Sequence, residues 1–95
     1  MKRTKIVATL GPASSELHVL EAMLHAGVNV FRVNFSHGDH AQHRTTIRNI
    51  REILDRTGLH AAILADLQGP KLRVGHVEEG AMVAPGGRIV FTNEA

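Results

Sequence analysis

Residues 31 to 40 read FRVNFSHGDH, a stretch that begins like a buried strand and ends in a group of polar side chains. Side chains of a strand alternate between its two faces. In the run 28–36 the odd positions from 31 onward are phenylalanine or valine, whereas the even positions change from valine to Arg32, Asn34 and Ser36. One face of this strand is therefore predicted to pack against helices, and the other to become polar at its carboxyl end.

Two further apolar runs, at 5–9 and 61–65, predict strands on either side of the strand at 28–35. Segments with helical spacing of apolar residues separate the three strands. Strand, helix, strand, helix, strand at this spacing predicts two consecutive βα units of an α/β fold. Near-continuous apolar strands are typical of a parallel sheet that is covered on its faces.

The two helices have recognisable ends. The first is predicted to start at Ser14 or Ser15 and to stop at Gly27, and the second to run from about 39 to 57 and to stop at Gly58. The residues expected on their buried faces are Leu17, Leu20 and Leu24 in the first helix and Ile47, Ile50 and Leu54 in the second.

Composition excludes several classes of protein. The 95 residues carry a net charge of only +2 and 3% aromatic residues, so neither the basic face nor the aromatic platforms of a nucleic-acid-binding protein are expected. The absence of cysteine excludes disulfide scaffolds and thiolate metal sites. The apolar run near the N-terminus is too short for a signal peptide or a membrane span. We therefore expect a soluble, cytoplasmic protein without nucleic-acid or membrane partners.

The texture of the sequence changes near residue 70. Short alternating segments separated by glycine and proline follow, and the turn at 85–87 predicts a small antiparallel β region. We therefore expect a boundary between a βα region at 1–69 and the start of a β-rich domain at 70–95.

The third strand also ends in a polar residue, Asp66, which shares a face with the apolar residues before it. Ligands of parallel α/β sheets bind at the carboxyl ends of the strands. Arg32 suits a phosphate, and the oxygens of Asn34, Ser36 and Asp66 suit an alkali or alkaline-earth cation. A structural alternative remains open, in which Arg32 pairs with Asp66 while Asn34 and Ser36 only cap the loop.

The histidines do not predict a metal site. His37, His40 and His43 recur every third residue, whereas a helical zinc pair needs a spacing of four and a further ligand.

Three stretches together resemble the N-terminal part of pyruvate kinase: TKIVATLGPAS at 4–14, VFRVNFSHGDH at 30–40 and ADLQGPKLRVG at 65–75. The resemblance implies the first three strands of a (β/α)₈ TIM barrel, followed by the start of a β-rich lid domain inserted after the third strand. It also implies transfer of a phosphoryl group from phosphoenolpyruvate to ADP, which yields pyruvate and ATP.

The resemblance assigns roles to individual residues. Arg32 would bind the transferred phosphoryl group. A monovalent-cation site would consist of Asn34, Ser36, Asp66 and the backbone carbonyl of Leu67. The two residues expected against the nucleotide phosphates are His37 and Arg73.

One position departs from the family pattern. Where many members have glutamate after Gly-Pro, this chain has Lys71. We expect its ammonium to take the place of potassium, so that K⁺ can bind but is not required. Mg²⁺ is implied as a cofactor, with its ligands outside this chain.

The chain is also shorter than the family's several hundred residues, so we expect a fragment that is inactive alone. The full enzyme is expected to be a homo-oligomer, with a tetramer typical of the family. The alternative is a self-contained module that binds a phosphorylated ligand or a partner protein without turnover.

Overall fold

A computed structural model describes residues 3–70 and 72–92 of the chain. Its regular elements follow the predicted order of alternating strands and helices. They are strand β1 (Val7–Thr9), a short 3₁₀ turn (Pro12–Ser14), helix α1 (Leu17–Ala26), strand β2 (Val30–Asn34), helix α2 (His40–Thr57) and strand β3 (Ala62–Asp66).

The three strands form one parallel sheet in the order β1-β2-β3. Val30 of the central strand is in register with Val7 on one side and Ala62 on the other. Two βα units with parallel strands confirm the predicted α/β class. Strand β2 is the central strand, so its carboxyl end lies between the ends of both neighbours.

Both helices pack on the same face of this sheet. Phe31 and Val33, two of the odd-numbered residues of β2, are only 1% and 2% exposed. Phe31 packs with two leucines of α1 and two isoleucines of α2 in one apolar cluster. The opposite face is more open, since Val7 remains 55% exposed and Leu64 48%. The described residues therefore form two layers, with a core between the helices and one side of the sheet.

The buried line of α2 differs from the prediction. Ile50 is buried as expected, but Ile53 and Thr46 accompany it, whereas Ile47 and Leu54 are only partly buried. All the apolar positions lie on one broad stripe of the helix, so periodicity alone does not determine which edge of the stripe faces the core. The hydroxyl of Thr46 donates to the Gln42 carbonyl at 3.0 Å, which satisfies this buried polar group.

The glycine stops are confirmed, but the serine start of α1 is wrong. Gly27 and Gly58 adopt left-handed conformations, with φ of 112° and 70°, and cap the two helices. Glu16, rather than a serine, precedes α1. Ser14 and Ser15 instead close the 3₁₀ turn onto Gly11. The first predicted core residue of α1, Leu17, is 36% exposed because it lies at the end of the helix.

Strands β1 and β2 each start two residues later than predicted. The side chain of Asn29 explains this, because its Oδ1 accepts a hydrogen bond from the Ile6 backbone N–H at 2.9 Å. The Ile6 carbonyl also accepts from both the Asn29 and the Val30 N–H, at 3.0 and 3.1 Å, so the hydrogen bonding is irregular where the two strands come together.

Residues 72–92 contain turns but no strand. The Gly87 N–H donates to the Ala84 carbonyl at 3.0 Å, which closes the predicted turn. The antiparallel β region expected there is not formed in these residues, and the domain boundary near residue 70 stays a prediction. Within the described ranges, no helix is both long and apolar enough to cross a membrane.

Candidate functional site at the strand ends

The register of the sheet brings the predicted polar residues together. Arg32 is level with Thr9 of β1, and Asn34 is level with Asp66 of β3. Residues in register on parallel strands point to the same face. All four therefore lie on the open face, at the carboxyl end where the helices do not cover the sheet.

Arg32 connects the two outer strands. Its Nη1 donates to the Thr9 hydroxyl at 3.1 Å, and its Nη2 donates to the carboxylate of Asp66. The side chains of Arg32 and Asp66 are 29% and 43% exposed, so the ion pair is accessible from solvent. Thr9 was not among the predicted site residues. Its position at the end of β1, in step with Val7, was the signal that could have identified it.

Asn34 organises the turn that follows β2. Its Oδ1 accepts a hydrogen bond from the Ser36 backbone N–H at 3.0 Å. The Phe35 N–H donates to the Asp66 carbonyl at 3.0 Å, which joins the turn to the end of β3. Both features of the structural alternative, the ion pair and the capped loop, are thus present. They also bring the side-chain oxygens of Asn34 and Asp66 to the same end of the sheet, as the functional interpretation requires.

The loop after β2 borders a cleft of ≈ 650 Å³. The β1–α1 loop forms one wall, and the first turns of α2 form the other. Predicted residues on the lining are Asn34 and His37, and the cleft also touches Thr9 and Gly38. The cleft therefore begins beside the strand-end cluster and continues towards the N-terminal end of α2.

Two other predicted residues, Leu67 and Arg73, are not joined to the cluster by any described contact. Leu67 directly follows Asp66 and is 73% exposed. Its side chain is a hydrocarbon, so its backbone carbonyl is the atom that could bind a cation. Arg73 is exposed in the irregular segment 72–78 and does not line the cleft. Lys71 lies outside the described residues.

The clearest electrostatic perturbation lies away from the site. The guanidinium of Arg56 donates to both carboxylate oxygens of Glu21, at 3.3 and 2.6 Å, and so joins α2 to α1. Hydrogen bonding from Arg56 lowers the pKa of Glu21, and the Glu21 carboxylate in turn raises the pKa of Arg56. This pair fastens the two helices on the side opposite the sheet's open face, so it offers an internal control for the Arg32–Asp66 pair.

The histidines near the loop take up structural contacts. His37 is exposed, and its carbonyl oxygen lies 2.6 Å from Nε2 of His43. Across residues 3–70 and 72–92, no group of three or more histidine, cysteine or acidic side chains could hold a metal ion.

Comparisons with known proteins match the whole chain to one family. The profile of the pyruvate kinase barrel domain matches residues 1–95. The pyruvate kinase of Geobacillus stearothermophilus is 47% identical over 92 residues, and pyruvate kinase 2 of Synechocystis is 55% identical over 74 residues. These alignments cover 96% and 78% of this chain, but only 16% and 12% of the two relatives.

A crystal structure of Cryptosporidium parvum pyruvate kinase superposes with a TM-score of 0.66 at 38% identity. The superposition covers 70% of this chain and 14% of that one. The chain thus spans less than a fifth of the length of these relatives. On the profile match and these identities, the chain belongs to the pyruvate kinase barrel-domain family.

Proposed function

We propose that this chain is the N-terminal part of a pyruvate kinase, and that the protein containing it transfers a phosphoryl group from phosphoenolpyruvate to ADP. In this reaction the bond between phosphorus and the enol oxygen breaks, and a bond to the terminal phosphate of ADP forms. The enolate that remains takes up a proton to become pyruvate. Family membership together with the strand-end cluster carries the proposal.

Arg32 is proposed to bind the phosphoryl group during transfer. A guanidinium has five N–H donors, and the bonds to Thr9 and Asp66 use two of them. The remaining donors are available to phosphate oxygens, and the two existing bonds hold the side chain in place. Phosphoryl transfer depends mainly on positioning and on charge stabilisation, both of which a fixed guanidinium provides.

The cation site is proposed at Asn34, Ser36, Asp66 and the carbonyl of Leu67. The donor set fits a monovalent cation, because amide, hydroxyl, carboxylate and carbonyl oxygens are hard ligands. Asn34 and Asp66 are level on adjacent strands, which supports a shared ligand between them. When bound, such a cation supplies positive charge beside the transferred group. Mg²⁺ is expected to be held by residues outside this chain.

Lys71 is proposed to supply the charge that potassium supplies in other family members. This proposal depends on the sequence alone, because Lys71 lies outside the described residues. It predicts turnover without K⁺.

The remaining assignments also extend beyond the fragment. His37 and Arg73 are proposed to contact the nucleotide phosphates, and the cleft beside His37 supports this for the first of them. The three strands are proposed as the first of a (β/α)₈ barrel, with 70–95 as the start of an inserted β-rich domain. The oligomeric state of the full enzyme and its location in the cytoplasm stay predictions.

The test is pyruvate formation from phosphoenolpyruvate and ADP with Mg²⁺, measured on the longer protein encoded by the same reading frame, with and without K⁺. Turnover in both conditions supports the reaction and the role of Lys71. Turnover only with K⁺ retains the reaction and removes Lys71 as the substitute charge.

The 95-residue chain provides the contrasting measurement. A folded chain that binds phosphoenolpyruvate tightly by titration calorimetry, while the longer protein shows no turnover, would favour the binding module. Weak binding of phosphoenolpyruvate by the 95-residue chain, together with turnover by the longer protein, would favour the fragment of an enzyme.

A further inference from the structure

The imidazole of His43, in the first turn of α2, contacts two residues of the loop that carries Ser36 and His37. The imidazole Nε2 of His43 lies 2.6 Å from the carbonyl oxygen of His37. Its ring also packs on Phe35, with ring centroids 4.6 Å apart and planes tilted by 44°. A carbonyl oxygen only accepts hydrogen bonds, so the Nε2 of His43 must carry the proton. Both the neutral Nε2–H form and the imidazolium meet this requirement.

The loop is well held at its two ends. At the start, the Phe35 N–H donates to the Asp66 carbonyl, and Asn34 Oδ1 accepts from the Ser36 N–H. At the end, Asp39 and Gln42 exchange hydrogen bonds at 2.8 and 3.2 Å and cap α2. In the middle, the His37 N–H donates to the Asn34 carbonyl at 3.4 Å, and among the described residues His43 is the side chain of α2 that bonds to 36–38.

Gly38 shows how closely the loop approaches the helix. Its φ is +72°, and a Cβ built there would lie 2.9 Å from Gln42 Oε1 and 3.3 Å from His43 Cε1. A side chain at Gly38 would therefore have to displace the end of the Gln42 side chain, so the loop lies directly against the first turn of α2. His43 is half-buried in this contact and lines the cleft on its other side.

We propose that His43 is a positioning residue, which holds Ser36 and His37 in the geometry that binds the nucleotide and the cation. The proposal rests on the proposed function for what these two residues bind. A loop that is ordered before the ligand arrives does not lose its freedom on binding, so affinity is higher. His43 has no direct role in the reaction, and its effect should appear in nucleotide affinity more than in the turnover step.

Four variants separate the hydrogen bond from the ring contact. H43F keeps an aromatic ring against Phe35 but has no donor. H43Q offers an amide N–H near the Nε2 position, whereas H43N offers one only near Nδ1. H40F is the matched control, because His40 touches the same Phe35 ring edge-on at 6.4 Å and has no hydrogen bond to the loop.

The first experiment is nuclear magnetic resonance on the 95-residue chain. We expect the His43 ring to carry its proton on Nε2, and the backbone amides of 36–38 to lose order in H43F and H43N but not in H43Q or H40F. Protonation of His43 on Nδ1 alone would overturn the proposal. So would unchanged amide order in a folded H43F. The ring measurement uses the unaltered chain, so it decides even where a variant does not fold.

The second experiment is kinetic and uses the longer protein. Loss of one hydrogen bond predicts that H43F raises the KM for ADP about fivefold, with a much smaller change in kcat. H43Q and H40F should keep KM within about twofold, well inside the effect expected for that bond. Equal changes in H43F and H43Q, or a fall confined to kcat, would overturn the positioning role. Absence of turnover in every variant and in the unaltered protein would refute the proposed function instead, and the resonance experiment would still decide the loop contact.

Discussion

The replacement of Asp66 by asparagine separates the functional and structural interpretations of the strand-end cluster. Asparagine keeps the shape of the side chain and an oxygen that can accept from Arg32. It removes only the negative charge. The backbone bond from Phe35 to the carbonyl of residue 66 is unaffected, because it does not involve the side chain.

The expected cost in stability is small. The side chains of Arg32 and Asp66 are 29% and 43% exposed, so solvent screens the attraction between their charges. Exposed ion pairs contribute about 0.2–1 kcal/mol, and part of that remains when a neutral hydrogen bond replaces the charged one. We therefore expect D66N to lower the free energy of unfolding by less than about 1 kcal/mol.

The expected cost in activity is much larger. In the proposed function, Asp66 is the one carboxylate among the cation ligands of this chain and also orients Arg32. Loss even of a group that only supports a metal ligand typically lowers metal affinity or activity by about 10–100-fold. We expect the longer protein with D66N to lose at least about tenfold in kcat/KM for phosphoenolpyruvate.

Two assays and one control test this reasoning. Urea unfolding of the 95-residue chain, followed by circular dichroism, measures stability, and pyruvate formation by the longer protein measures activity. The control is E21Q, which removes the same charge from the ion pair with Arg56 on the helical side. We expect E21Q to leave turnover unchanged. A D66N variant that loses more than about 2 kcal/mol of stability while turnover persists would refute the reasoning. The ion pair would then contribute more stability than an exposed ion pair can.

Three further predictions concern the scaffold. Hydrogen bonding from Arg56 lowers the pKa of Glu21, so the Glu21 carboxylate stabilises the fold fully above its unfolded pKa of about 4.3. This stabilisation is lost as the pH falls through the lower folded pKa. When unfolding is measured across acid pH, we expect the free energy of unfolding to fall less steeply for E21Q than for the unaltered chain. G38A should lower the free energy of unfolding by about 1–3 kcal/mol in a thermal melt, since alanine at this φ is strained and meets the first turn of α2; a change within error would contradict the close contact. I53A should cost about 2–5 kcal/mol and clearly more than I47A, measured by urea unfolding, because Ile53 is 2% exposed while Ile47 is only partly buried; the reverse order would mean that α2 is rotated differently.

Much of the fold follows from local chemistry. Each helix ends at a glycine because the capping position has a left-handed conformation that glycine readily adopts. The apolar face of β2 follows from the strict alternation of its side chains. Phe31 and Val33 are buried as alternation requires, whereas Phe35 is only half-buried because it packs on His43 instead of the core. These features depend on residues close together in the chain, so the sequence alone is sufficient for them.

The composition of α2 shows where local reasoning stops. Ile47, Ile50, Ile53 and Leu54 all lie on one side of the helix, and any of them satisfies a helical period. The rotation of α2 against α1 and the sheet determines that Ile53 is buried while Ile47 and Leu54 are less so. Rotation is a property of the packed layers, so no pattern within the helix specifies it.

The candidate site divides in the same way. The sequence by itself determined that polar side chains end β2 and β3, and the resemblance to the family predicted roles for them. Only the tertiary structure decided that Thr9 bonds to Arg32, that Asn34 and Asp66 are level, and that His43 reaches the loop. Strand register and helix placement are long-range pairings between separate segments, and they convert polar residues that are scattered along the chain into one cluster.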